Sequence, residues 1–288
     1  MTAGTGRTPE MDVLIEQALV EDVGAGDWTT LWTVSEGATG IAEIRAKAPV
    51  VISGTALAQR VFAMVDADLR VTLDADDGAH LQPGDRLLSI EGPLRGILTG
   101  ERAALNFLGR LSGIATLTRR FADAVAGSKA QVIDTRKTTP GWRALEKAAV
   151  RDGGGANHRM GLYDMVLIKE NHIAAAGGIE AALRTVRTSN AAGLPVEIEV
   201  RTLEELQIVL DVGVERVLLD NMTPADLRRA VELSRASSQG GPELEASGNV
   251  TLDTVGAVAA TGVDLISVGA LTHSAPVADL SLRVVRAP

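Results

Sequence analysis

The stretch IDTRKTTPGWRALEKAAVRDGGGANHRMGLYDMVLIKENH, from Ile133 to His172, decides how the second half of the chain is read. It opens on the end of an apolar strand that runs straight into Asp134-Thr135-Arg136-Lys137. It closes on another apolar run, MVLI, that meets Lys169-Glu170-Asn171-His172 as abruptly. Between them lie Arg143, Lys147, Arg151, a glycine triplet at Gly153 to Gly155, and the pair His158-Arg159. The chain as a whole carries a formal charge of -9. Such a gathering of cations is therefore local, and it costs self-repulsion unless it holds an anion.

Working outward, the same rhythm repeats. Apolar strands are expected at QVIDT, DMVLIKE, VEIEV, RVLLD, LEAS and DLISVG, with helices filling most gaps. Two of those helices open on capping signals, Thr202-x-x-Glu205 and Thr223-Pro224-x-Asp226. Buried strands alternating with helices imply a parallel sheet. Six of them, none reading as an exposed edge, favour a barrel. Upstream the texture differs. GIAEIRAKAPVVISG, DLRVTLD and DRLLSIEG read as strands, QPGD as a turn and TALAQRVFAMVD as a helix. Met11, Leu14, Ile15, Ala18 and Leu19 share a face of an early helix. A long helix is expected from about Glu101 to Val125, bent at Ser112-Gly113. The expected division is an α+β domain over residues 1–112, a barrel over 113–274, and a last segment, 275–288, that returns to the first domain.

With 288 residues, 45% of them hydrophobic, the chain can bury a large core. It has no cysteine, which removes disulfides, thiolate nucleophiles and zinc–thiolate sites together. The opening MTAGTGRTP lacks the apolar core of a secretory signal, and no run is long enough to cross a bilayer. The cytoplasm is the simplest location. The acidic balance argues against nucleic acid as a partner.

Polar groups fall where strands end. Beyond Arg136-Lys137 and Lys169 they are Glu197 and Glu199, Asp220-Asn221, Ser247-Gly248-Asn249, and Ser267 before Gly269. In α/β barrels the βα loops converge at those ends, so a site is expected there. Each residue has a plainer reading. Lys169 could be a solvated loop residue, though a clean alternation would point it inward, where a lysine needs an anion. Glu197 and Glu199 share a face by period two, which is either the barrel interior or the helix layer. Asp220 could cap a turn, and SGN and SVG could be turns only. The glycine triplet lacks the GK[ST] of a Walker loop. His80, His172 and His273 lack metal-ligand spacing. Taken together, the cations suit a multiply anionic small molecule, and the two carboxylates suit Mg²⁺ or sugar hydroxyls.

The long stretch quoted first closely resembles the quinolinate phosphoribosyltransferase family, and EIEV, LLDN, SGN and ISVGALTHSAP continue the likeness in order. LTGERAALNFLGRLSGIAT resembles the helix that precedes the family's barrel. The resemblance implies an N-terminal α/β sandwich and an open seven-stranded α/β barrel, one strand more than the pattern yields. It implies a homodimer, which could assemble further into a hexamer. It also implies transfer of a phosphoribosyl group to quinolinate with loss of CO₂, assisted by Mg²⁺. By the same likeness Arg136, His158 and Arg159 hold the quinolinate carboxylates, Thr135 is a further substrate-binding residue, and Lys137 and Lys169 lie between the two substrates. Glu199 and Asp220 serve the ribose hydroxyls and Mg²⁺, the metal directly or indirectly. Ser247, Gly248, Asn249, Ser267 and Gly269 line the 5′-phosphate pocket, and Arg102 reaches the partner subunit's site. Three rival readings differ in what they need. A paralogue of the kind associated with molybdate transport would change the base pocket, a nicotinate enzyme would need fewer cations, and a phosphate-binding scaffold would dispense with Lys137, Lys169, Glu199 and Asp220.

Overall fold

The computed structural model describes residues 9–237 and 241–287. Along the chain its strands are β1 (Thr39–Ala46), β2 (Val50–Val51), β3 (Arg70–Leu73), β4 (His80–Leu81), β5 (Arg86–Pro93), β6 (Gln131–Ile133), β7 (Val166–Ile168), β8 (Val196–Val200), β9 (Arg216–Asp220), β10 (Glu243–Ser247), β11 (Leu265–Ser267) and β12 (Leu280–Arg286). The chain forms two compact units, Met1–Leu117 with Ala275–Pro288, and Thr118–Ser274.

In the first unit β12, β1, β5 and β3 form an antiparallel sheet in that order. Leu88 and Ile90 of β5 and Ala42 and Ile44 of β1 are buried without remainder, so the two-residue period supplies one core face. The helix Thr55–Val65 adds Leu57, Ala58, Val61 and Phe62, the spacing of one helical stripe. The helix Pro9–Val23 turns inward the side on which Ile15 is fully buried. The expected QPGD turn closes with Asp85 N–H donating to the Gln82 carbonyl at 3.0 Å.

The long helix departs from expectation. It begins earlier and runs unbroken over Leu94–Ala124. Ser112 and Gly113 do not end or interrupt it. Ser112 Oγ accepts the Ser53 N–H at 3.1 Å, and a Cβ on Gly113 would stand 2.0 Å from the Pro276 carbonyl oxygen. The glycine lets another piece of backbone lie against the helix, which is a packing need.

In the second unit the sheet is wholly parallel, in the order β6-β11-β10-β9-β8-β7. The six expected strands are all present. The seventh that the resemblance implies is reduced to one parallel bridge, Ile133 to Ala156, directly after the glycine turn. The sheet is strongly curled. A flat path from β6 across β11, β10 and β9 to β8 would be about 19 Å, yet His158, two residues after the bridge, places Nε2 2.9 Å from Glu197 Oε2 on β8. The barrel stays open, since no described residue of β6 pairs with β7.

Both expected caps form. Thr202 accepts from Glu205 N–H and Thr223 from Asp226 N–H, each at 3.2 Å. The reciprocal bond of the first differs by one residue, because Glu205 Oε2 accepts from Arg201 N–H. No described helix is long and apolar enough to cross a membrane.

Candidate active site

Because side chains alternate along a strand, the parallel register stacks the interior of the second unit in two layers. Glu197 of β8 stands beside Leu167 of β7, and Glu245 of β10 stands beside Leu218 of β9. One step toward the carboxyl ends come Lys169, Glu199, Asp220 and Ser247, where a cavity of about 750 Å³ opens. Every site residue expected in this unit lines it, from Thr135, Arg136 and Lys137 round to Ser267 and Gly269. Arg102 belongs to the first unit, where it is exposed on the helix Leu94–Ala124.

At one end of the cavity lie Arg136 and Arg159. Arg136 Nε and Arg159 Nε are buried and donate to no hydrogen-bond partner among the described residues. Burial, and then the charge of Arg136, hold the Arg159 guanidinium below its ordinary range. Arg159 is aimed by a bond from Nη1 to the Met165 carbonyl at 3.0 Å. Two cations kept close without carboxylates between them form a receptor for an anion.

The other cations of the opening stretch turn out to build the loop that carries this pair. Lys147 and Asp134 are both fully buried and form an ion pair. Lys147 Nζ also donates to the His158 carbonyl at 3.0 Å, and Asp134 Oδ1 accepts the His158 N–H at 2.9 Å. Burial pushes the Asp134 carboxyl up and the Lys147 ammonium down. Arg143 donates to Thr138 Oγ1 at 3.0 Å, and Arg151 to Asn157 Oδ1. The glycine triplet is a packing turn, because a Cβ on Gly155 would meet Thr118 Cγ2 at 2.8 Å and Val150 Cγ1 at 2.9 Å.

His158 has both ring nitrogens engaged. Nδ1 accepts the Arg159 N–H at 2.6 Å, so the neutral ring carries its proton on Nε2. Nε2 faces Glu197 at 2.9 Å and Glu245 at 3.4 Å. His158 is held below its ordinary range chiefly by burial. One ring nitrogen of His158 and one oxygen each of Glu197 and Glu245 lie within 4.8 Å of one another.

Lys137 and Lys169 occupy the middle. The Lys137 stem lies along Gly269, whose missing Cβ would stand 3.0 Å from Lys137 Cδ. Lys169 Nζ is 3.8 Å from Glu199 Oε2. Glu199 and Asp220 are 11% and 18% exposed, and Arg201 lies between them at 4.0 and 3.5 Å. The far end is mostly backbone. Gly248 has φ +104°, Asn249 φ 50° and Asn221 φ 55°, and Asn249 Nδ2 donates to Asn221 Oδ1 at 3.3 Å. Successive left-handed residues turn backbone N–H groups into a concave rim suited to phosphate.

Sequence reasoning passed over Glu245, Arg201 and Thr251 and gave Asn221 and His273 no role, yet all of these but Arg201 line the cavity. Period two counted back from Ser247 would have found Glu245. His172 is a capping residue, its Nδ1 accepting the Lys169 N–H at 2.9 Å.

Comparison with known proteins agrees over nearly the whole chain. Residues 27–112 match the family model "Quinolinate phosphoribosyl transferase, N-terminal domain", and residues 114–283 match the corresponding C-terminal domain. A probable nicotinate-nucleotide pyrophosphorylase [carboxylating] of Synechocystis is 43% identical, covering 96% of this chain and 93% of that protein. A quinolinate phosphoribosyltransferase [decarboxylating] of Nicotiana tabacum, named as mitochondrial, is also 43% identical over 96% of this chain and 83% of its own length. The solved nicotinate-nucleotide pyrophosphorylase of Francisella tularensis superposes with a TM-score of 0.91 at 37% identity, covering 99% of this chain and 100% of that one.

Proposed function

The chain belongs to the quinolinate phosphoribosyltransferase family, and from that premise we infer how its residues share the reaction. The enzyme joins quinolinate to the ribose of phosphoribosyl pyrophosphate and releases pyrophosphate and CO₂, giving nicotinate mononucleotide for NAD synthesis. One observation carries the assignment of roles: Arg136 and Arg159, with buried unpartnered Nε atoms, share a single cavity with Lys137, Lys169, Glu199, Asp220 and the Gly248 rim.

In this reading Arg136 and Arg159 take the two quinolinate carboxylates, since planar forks suit planar anions. His158 forms the floor beneath them and orients Arg159. Thr135 shapes the turn, its Oγ1 accepting the Lys137 N–H at 3.1 Å. Lys137 and Lys169 screen the repulsion between quinolinate and the donor's phosphates. The rim of Ser247, Gly248, Asn249, Ser267 and Gly269 holds the 5′-phosphate.

The pyridine nitrogen attacks the ribose C1′ as the C1′–O bond to pyrophosphate breaks. Positive charge builds on the ribose and negative charge on the leaving group. Glu199 and Asp220 face the first, and Lys137 and Lys169 the second. Glu199 and Asp220 are hard oxygen donors at a part-exposed mouth, which fits Mg²⁺ held directly or through water. Mg²⁺ bound there would neutralise charge on the departing pyrophosphate. Once alkylated, the ring nitrogen is cationic. The bond to the adjacent carboxylate then breaks, its electron pair stays on the ring carbon beside that cation, and a proton replaces CO₂. Most of the rate comes from positioning and electrostatics. Arg102 completes the site of the partner subunit in a homodimer.

The test is direct. Protein, Mg²⁺, phosphoribosyl pyrophosphate and quinolinate are mixed, and CO₂ and the mononucleotide are followed, with nicotinate run in parallel. Quinolinate turnover well above nicotinate turnover is expected. Equal or greater use of nicotinate overturns the dicarboxylate pocket.

A further inference from the structure

Under the cation pair lies a feature the reaction scheme does not use. Glu197 and Glu245 are both wholly buried in the lower interior layer. Among the described residues none of their four carboxylate oxygens has a well-formed hydrogen bond. Two adjacent carboxylate anions in such a place repel each other and lack solvation. They also lie where they would compete with an incoming dicarboxylate, since Glu197 acts electrostatically on Arg159.

We infer that Glu245 sets the affinity of the quinolinate pocket: its carboxyl group keeps a proton, so that it adds no negative charge beside Glu197 beneath Arg136 and Arg159. The inference rests on the reading of that pocket as the quinolinate site.

The surroundings of Glu245 favour the neutral acid. Its register neighbours are Leu218 on β9 and Leu265 on β11. From β8 it faces Glu197, from the loop after β6 it faces His158, and from β11 it faces Ser267. His158 offers an N–H and no positive charge, because its ring is held neutral. The nearest cation on β9, Arg216, is already paired with Glu243 at 2.6 Å. Burial first, and then the charge of Glu197, push the Glu245 carboxyl up to about 8. At neutral pH Glu245 therefore adds no negative charge, and Arg136 and Arg159 keep their attraction for the substrate.

A metal ion is the competing occupant of the same His158, Glu197 and Glu245 atoms. It would need both glutamates ionised, beside two arginines that repel a cation, so a proton is the better fit.

Glu245 acts through the pocket and not on reacting atoms, so the experiment separates binding from turnover. The KM for quinolinate and kcat are measured from pH about 7 to about 9.5 in the wild type and in Glu245→Gln, which keeps a neutral, hydrogen-bonding side chain. In the wild type the KM is expected to rise above pH about 8, approaching roughly tenfold per pH unit, while kcat at saturation changes by less than about twofold. In Glu245→Gln that rise is abolished. Calorimetry of quinolinate binding to the wild type at pH about 8.5, in two buffers of different ionisation enthalpy, should show proton uptake on binding. That measurement decides the matter even if the variant does not fold. A flat wild-type KM, the same rise in both proteins, absence of proton uptake, or a stoichiometric metal ion retained by the purified protein overturns the inference. An enzyme that turns over quinolinate at neutral pH but shows no such linkage sinks this inference alone; absence of quinolinate turnover sinks the reading beneath it.

Discussion

Lys147 and Asp134 form an ion pair with both side chains fully buried, and between them they hold His158 by its carbonyl oxygen and its N–H. The pair thereby fixes the residue on which Arg159 depends. Lys147→Met leaves a buried carboxylate without its cation, which costs about 3–5 kcal/mol. The double variant Asp134→Asn with Lys147→Met removes the orphaned charge and should recover at least about 1 kcal/mol of that. Urea unfolding of the single and double variants checks both statements.

Lys137→Ala and Lys169→Ala should separate function from stability. Lys169 is 53% exposed and its nearest carboxylate is 3.8 Å away, so its removal should change stability by about 0.5 kcal/mol or less. Turnover should fall by about 10²-fold or more in each, because each amine opposes charge that grows in the transition state. Wild-type turnover in both variants would remove the lysines from the mechanism.

The contrast between these lysines bears on what a sequence can disclose. Lys147 and Lys169 both sit among cations in one stretch, and spacing alone could not tell the buried clamp from the cavity residue. Lys169 was legible because it follows an apolar run, where alternation gives its direction. Lys147 lies on a helix whose inward face became known only once Asp134 stood opposite it. Glu199 and Glu197 were read as one face, but which face was open until the curl of the sheet was seen. The curl depends on side chains meeting across strands that are far apart in sheet order. Glu245 escaped notice because LEAS reads as an ordinary strand. The missing seventh strand is a single bridge, too short for any periodic signal. The strands, their parallel order and the polar strand ends were legible, because they follow from local alternation.

Gly248→Ala should damage the phosphate end specifically. Gly248 has φ +104°, and an added Cβ would stand 2.2 Å from Asn221 Oδ1. Relief requires a shift of Asn221, itself left-handed at φ 55°. A local cost of about 1–3 kcal/mol follows. The KM for phosphoribosyl pyrophosphate should rise about tenfold or more, with the quinolinate KM much less changed, as steady-state kinetics with each substrate varied would show.

Glu245 also gives a pH dependence of stability with a definite sign. In the unfolded chain its carboxyl ionises near 4.5, and in the fold it is pushed up to about 8, mainly by burial. Between those values the native state holds the extra proton, so this group's contribution to stability falls as pH rises, then levels off above about 8. At about 1.4 kcal/mol per pH unit the total is a few kcal/mol. Glu245→Gln lacks that loss. Its melting temperature relative to the wild type should climb from pH about 5 to about 8 and stay constant beyond. A difference independent of pH would show Glu245 ionised throughout.

Arg102 offers the sharpest test of assembly. It projects from a helix whose next residues, Ala103 and Ala104, are buried, so the exposed arginine sits on a rigid base. If it completes the partner subunit's site, Arg102→Ala and Lys169→Ala should each be nearly inactive alone. In a two-fold dimer containing one chain of each kind, one site combines both lesions and the other has none. Random exchange of equal amounts makes half the dimers mixed, so about a quarter of wild-type activity should return. The measurement is turnover after mild dissociation and remixing of the two inactive proteins. If Arg102 acted within its own subunit, every site would keep one lesion, and remixing would restore nothing.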